Sequence, residues 1–137
     1  MIVVDSNILG YAVIAGEFTN QSLRARRRDP AWVAPPLWRF EVRNILATTM
    51  RVEGLALETA ADAFDEARDM VQEVEHGLPS RQVLLLAQTL KISAYDAEFV
   101  TLAEKLDLPL VTADRRLAGV HPERVLTLEE FAADPGI

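Results

Sequence analysis

Cysteine is absent from this chain, and histidine occurs only twice, at His76 and His121. Disulfides, thiolate metal sites and cysteine nucleophiles are thereby excluded, and histidine chemistry has little to draw on. No apolar run approaches the roughly 18 residues that a membrane-spanning helix needs. The first residues, MIVVDSN, lack the basic region and long apolar stretch of a signal peptide, so the expected compartment is the cytoplasm. The remaining chemical candidates are carboxylates, hydroxyls and the metals that carboxylates hold. With 137 residues, 50% of them hydrophobic, the chain suits one globular domain over 1–137 and is too short for two ordinary ones.

Positive charge is also scarce overall, at a net −7. Phosphate binding is driven by Lys and Arg, so the average argues against nucleic acid. It hides a division, however. Residues 20–43 carry Arg24, Arg26, Arg27, Arg28, Arg39 and Arg43 against Asp29 and Glu41, whereas 57–75 carry seven acids against Arg68. One surface could meet phosphates while another repels them, and RARRRD reads equally as the solvated end of a helix.

The apolar pattern alternates between short runs and helical spacing. Ile2-Val3-Val4 ends abruptly at Asp5-Ser6-Asn7, after which Ile8, Leu9, Ala12 and Val13 follow a helix. Trp32-Val33-Ala34 forms a second run, stopped by Pro35-Pro36 before a helix from about Leu37. Leu57, Ala60, Phe64, Ala67, Val71 and Val74 predict a helix over 57–74 with an acidic outer face. Beyond the Gly77 and Pro79 breaks, Ser80 is placed to cap a helix carrying Val83, Leu84, Leu86, Ala87 and Leu90. Another helix is expected after Asp96, then a strand at Leu110-Val111-Thr112 and a last one at Val125-Leu126. Leu128 to Ala133 reads as a terminal helical turn. Strands alternating with helices predict an α/β fold whose parallel sheet is covered on both faces.

Several carboxylates sit awkwardly in a purely structural reading. Asp5 follows an apolar strand, at the edge where open α/β sheets place ligands, although it also suits a helix cap. Asp96 has the same ambiguity before its helix, and Asp114 passes for a turn residue after LVT. Glu41 lies four residues after Leu37 and four before Ile45, on the expected inward side of its helix, with Asn44 and Thr48 continuing that stripe. A buried unpaired carboxylate costs several kcal/mol, so this face needs a cation, a partner or water. Carboxylates gathered at one sheet edge repel one another, and Mg²⁺ or Mn²⁺ is the usual remedy, needing oxygen ligands but no histidine or cysteine. Such ions also activate water and stabilise charge on a phosphate.

In that order and spacing, IVVDSNIL, PPLWRFEVRNIL, SAYDAEFVTLAEKLDLPLVTAD and VLTLEEF resemble a PIN domain, and specifically a VapC-type toxin of type II toxin–antitoxin systems. The resemblance spans nearly the whole chain. It implies a PIN-like fold, a short central parallel sheet sandwiched between helices, and metal-dependent endoribonuclease activity on RNA phosphodiester bonds. Asp5, Glu41, Asp96 and Asp114 match the four family acids, as catalytic residues and as ligands for Mg²⁺ or Mn²⁺. Asp5 and Asp96 would be the main direct ligands, with Glu41 and Asp114 acting through waters or a second ion. Ser6, Asn7 and Thr112 match small polar positions supporting that cluster, with Asn44 beside Glu41. Arg115 and Arg116 stand where some members carry a further acid. Arg24, Arg26, Arg27, Arg28 and Arg115 are the candidate RNA contacts. A small VapB-like antitoxin and a homodimer are the partners the resemblance implies.

Other aspartate-terminated strands fit less well. A haloacid-dehalogenase type needs a second aspartate where Asn7 stands, and a receiver domain needs a lysine after a late strand, whereas Lys91 and Lys105 precede LVT. The remaining alternative is a catalytically inactive PIN-fold module that binds RNA or protein.

Overall fold

In the computed structural model, residues 1–74 and 77–133 are described, and His76 lies outside them. The elements run β1 (Ile2–Val4), α1 (Ser6–Val13), α2 (Thr19–Arg28), β2 (Trp32–Ala34), α3 (Leu37–Glu53), α4 (Leu57–Met70) and β3 (Val71–Glu73). They continue with α5 (Ser80–Leu90), α6 (Ala94–Leu106), β4 (Leu110–Thr112), α7 (Arg115–Val120), β5 (Val125–Thr127) and α8 (Leu128–Ala133). All strand pairings are parallel, in the order β3-β2-β1-β4-β5. Every residue of β1, β2 and β4 is buried, and a parallel sheet flanked by helices requires such unbroken apolar runs.

This order creates the crevice. From central β1 the chain works outward to β2 and β3, then crosses back to β4 and β5. The connections therefore part between β1 and β4, the place where such sheets open a cleft at their carboxyl ends. Asp5 directly follows β1, and Asp114 comes two residues after β4.

Helices α1, α3 and α4 pack together, while α6 lies on β1 and β4 with α5 against it. Gly10 lets α1 approach α3, since a Cβ there would sit 3.3 Å from Ile45 Cγ2. Ala60, Ala63 and Ala67 form the buried stripe of α4. Gly54, at φ +71°, ends α3 in the left-handed region that glycine adopts without penalty.

Two expected elements differ. The helix predicted over 57–74 stops at Met70, because Val71–Glu73 adds to the free edge of β2, pairing Trp32 with Val71 and Ala34 with Glu73. Val71 and Val74 fit helical spacing and also suit a strand, so periodicity alone could not divide them. Arg26 Nη1 donates to the Met70 carbonyl at 2.8 Å, satisfying a group that the helix end would otherwise orphan. On α5, Ser80 is the first helical residue and makes no side-chain cap, Val83 alone is buried, and Leu84 is exposed.

Candidate active site

Asp5 is both a helix cap and the floor of the crevice. Its Oδ1 accepts from Ile8 N at 3.2 Å, and its Oδ2 accepts from Ala113 N at 3.1 Å and from the Thr112 hydroxyl. Thr112 is fully buried, and its Oγ1 also accepts from Asp114 N at 3.0 Å, so one hydroxyl ties the ends of β1 and β4 together. Burial pushes the Asp5 carboxyl up to about 6 despite these donors, and Asp96 adds repulsion. Asp114 caps α7 in turn, its Oδ1 accepting from Arg116 N at 2.9 Å and Leu117 N at 3.4 Å.

Glu41 and Asp96 arrive from the two flanking helices. The stripe of α3 that enters the core is Trp38, Val42 and Leu46, whereas Leu37, Glu41 and Ile45 are part-exposed along the crevice and Thr48 is exposed. The inward face of α3 is thus offset by one position from the expected one, and Glu41 lies part-buried at the crevice rather than in the core. The buried Ser6 hydroxyl donates to Glu41 Oε1 at 2.8 Å, while partial burial, then Asp96 and Glu98, raise the Glu41 pKa above its usual value. Asp96 does not precede its helix: Ser93 caps α6, its Oγ accepting from Asp96 N at 3.1 Å, and Asp96 sits in the first turn. The Asp96 carboxyl is likewise raised, by partial burial and then by Asp114, with Ser93 and Arg116 opposing.

The four acids line a single cavity of about 520 Å³ together with Ser6, Asn7 and Asn44. Among the described residues, no three acidic or histidine side chains form a complete metal-ligand set by themselves. The donor set nonetheless suits a hard cation that keeps most of its waters and takes one or two carboxylates directly. Asp5 Oδ1 keeps one lone pair free, and Glu41 Oε2 and Asp114 Oδ2 accept from no donor among the described residues. Burial first, and neighbouring carboxylates after it, raise the pKa values of Asp5, Glu41 and Asp96, a clustering of perturbed groups that marks a candidate functional site.

A profile of the family described as PIN domain matches residues 2–121. The chain belongs to the PIN-domain family. This PIN domain is 31% identical to a protein named Ribonuclease VapC3 from Pyrobaculum aerophilum, across 90% of its own length and 97% of the relative's. Its fold matches a crystal structure from the same organism with a TM-score of 0.75 at 21% identity, covering 96% of this chain and 92% of the other. A toxin–antitoxin complex from Klebsiella pneumoniae matches with a TM-score of 0.69 at 17% identity, covering 93% and 98%.

The arginines of this PIN domain are distributed differently from the acids. None of Arg24, Arg26, Arg27, Arg28 and Arg115 lines the acidic cavity. Arg26 holds Met70 and lies over the Trp32 ring at 5.4 Å, and Arg28 Nη1 donates to the Phe131 carbonyl at 2.8 Å while covering the Phe131 ring. Arg115 pairs with Glu129 at 2.8 Å, and Arg24 and Arg27 are exposed on α2. Phe40 and Tyr95, which no sequence argument singled out, line the cavity beside Glu41 and Asp96. An aromatic next to a site acid looks like ordinary helix patterning until exposure is known.

Proposed function

We propose that this PIN domain is a single-domain, metal-dependent endoribonuclease, the toxin of a VapBC-type pair working in the cytoplasm. The observation that carries the reading is the meeting of Asp5, Glu41, Asp96 and Asp114 in one cavity at the β1/β4 crevice. Asp5 and Asp96 are the ligands proposed to touch Mg²⁺ or Mn²⁺ directly, with Glu41 and Asp114 reaching it through water. When bound, the ion supplies neutralisation of these carboxylates, acidification of a water and stabilisation of charge on the scissile phosphate. The chain's own part is positional. Thr112 and the Ala113 amide hold Asp5, Ser6 aims Glu41, and the α7 amides orient Asp114. Asn7 and Asn44 offer neutral donors and acceptors at the rim, able to meet RNA hydroxyls without adding charge.

The relative named Ribonuclease VapC3 supports the RNA substrate, and the shared fold with a toxin–antitoxin complex supports a small cognate antitoxin. An antitoxin cation reaching the cleft would supply the positive charge that its four acids lack. A homodimer is part of the same proposal. The test is cleavage of single-stranded RNA by purified protein. Activity should require Mg²⁺ or Mn²⁺, vanish with chelator, and fall more than about a hundredfold in Asp96→Asn, beyond what an outer support residue costs. A folded wild-type chain that binds RNA but leaves it intact with both ions would identify an inactive binding module instead.

A further inference from the structure

The acids of the cleft repel the very backbone they are proposed to cut, and no arginine or lysine lines their cavity. Apart from the metal proposed above, binding energy at this place must come from something other than phosphate neutralisation by basic side chains. Two large rings share the cavity: Phe40, 63% exposed beside Glu41 on α3, and Tyr95, 64% exposed beside Asp96 on α6. Single exposed aromatics are common and need no explanation. Two from different helices, each adjoining a site carboxylate in the same cavity, form a surface. Phe40 also has a neighbour on its own helix. The Arg43 guanidinium lies 5.4 Å from the Phe40 ring centre and 5.2 Å from that of Phe64. Phe64 stacks on buried Trp38 at 5.3 Å and 14°, and Trp38 Nε1 donates to Glu73 at 3.1 Å. A chain of stacked groups thus runs from the core to the cleft and ends on an open ring.

The geometry points to Phe40 and Tyr95 as stacking platforms for unpaired nucleobases next to the phosphodiester held by the acids. This rests on the nuclease reading above and assigns these two side chains to base contact, since an unpaired base has a free π-face whereas a duplex keeps its own stacked. The Arg43 guanidinium adds a cation–π contact to the Phe40 platform. The rings suit bases better than a protein's apolar side chains because the neighbouring acids must hold a phosphate. In RNA, that phosphate carries bases on the adjoining sugars.

The test uses the full chain. In an Asp96→Asn background, where cutting is slowed enough to observe the bound RNA, quenching of a 2-aminopurine placed beside the scissile position reads stacking directly. Quenching is expected with the ring-bearing chain and lost in Phe40→Ala and Tyr95→Ala. Phe40→Trp and Tyr95→Phe, which keep an aromatic face, restore it. With Asp96 intact, each alanine variant raises KM for short single-stranded RNA roughly tenfold, with the smaller share of the loss in kcat. Unchanged quenching and KM in both alanine variants overturn the proposal. So does an effect confined to self-association or antitoxin affinity, which assigns the rings to a protein contact. Ring-dependent quenching by a wild-type chain that cuts nothing would overturn the nuclease reading and leave the platforms standing.

Discussion

The cleft acids come from positions 5, 41, 96 and 114, far apart in sequence, while the arginines crowd between 24 and 43. Folding treats the two sets in opposite ways. The acids converge at the β1/β4 crevice, where each keeps oxygen lone pairs unspent. Four of the six arginines disperse into structural contacts, Arg26 on Met70, Arg28 on Phe131, Arg39 paired with Glu73 at 2.6 Å and Arg43 near the Phe40 and Phe64 rings, while Arg24 and Arg27 stay exposed on α2. A dense run of charge in sequence therefore marks packing as readily as binding. What marks the cleft is charge that the fold gathers and leaves uncompensated.

The strongest way to break that comparison is to titrate the metal-free protein. The folded-state pKa of Asp5 stands at about 6, above its ordinary 3.8. Below pH 4 the folded and unfolded chains both carry the proton. Between about pH 4 and 6 the unfolded chain ionises first, so folding stability falls as pH rises. By pH 7 the loss from Asp5 approaches about 3 kcal/mol. Glu41, Asp96 and Glu98 are raised as well and add in the same direction. Urea midpoints of the chelated protein should therefore show this component declining from pH 4 to 7. Excess Mg²⁺ or Mn²⁺ should reverse it near neutrality, by about 2.7 kcal/mol at a hundredfold excess over Kd. A metal-free stability that does not respond to metal at pH 7 would mean the cleft charge is already compensated.

Next in size is Arg26→Ala. Removing it leaves the Met70 carbonyl without its donor and uncovers a face of Trp32. The expected cost is about 1–3 kcal/mol in denaturant titration. RNA affinity should stay at wild-type strength under conditions where the variant remains folded. Lost affinity with an unchanged unfolding midpoint would return Arg26 to the phosphate-binding set and blur the contrast with the acids.

How legible each set was follows from the interactions that fix it. The strands β1, β2 and β4 announce themselves as apolar triplets because both of their faces are covered, and the positions after β1 and β4 follow from strand order. Asp5, Glu41, Asp96 and Asp114 could be named from spacing and family resemblance. Their reach across the sheet could not, since it depends on a crossover that local pattern does not encode. Edge strand β3 was absorbed into a predicted helix because three residues of valine-led strand fit both periods, and its partner lies far away at Trp32–Ala34. The fate of each arginine was hidden for a related reason. Met70 lies 44 residues from Arg26, and Phe131 lies 103 from Arg28.

The smallest effect is expected at Arg27, and it is the most discriminating. Arg27 is exposed on α2, with Leu23 and Pro30 beside it at a shallow depression. Like Arg24, and unlike Arg26, Arg28 and Asp29, its side chain makes no hydrogen bond or ion pair among the described residues. Arg27→Ala should therefore shift stability by less than about 0.5 kcal/mol, as surface substitutions away from packing do. That leaves it free of the confusion that attends Arg26, where a lost RNA contact and a loosened helix end would look alike. If α2 meets the RNA backbone beyond the cleft, the slope of log affinity against log salt should fall by about one for this single change, across all sequences equally. An unchanged slope would confine α2 to packing and solvation, and leave the cleft with its aromatic rim as the whole of the proposed RNA surface on this face.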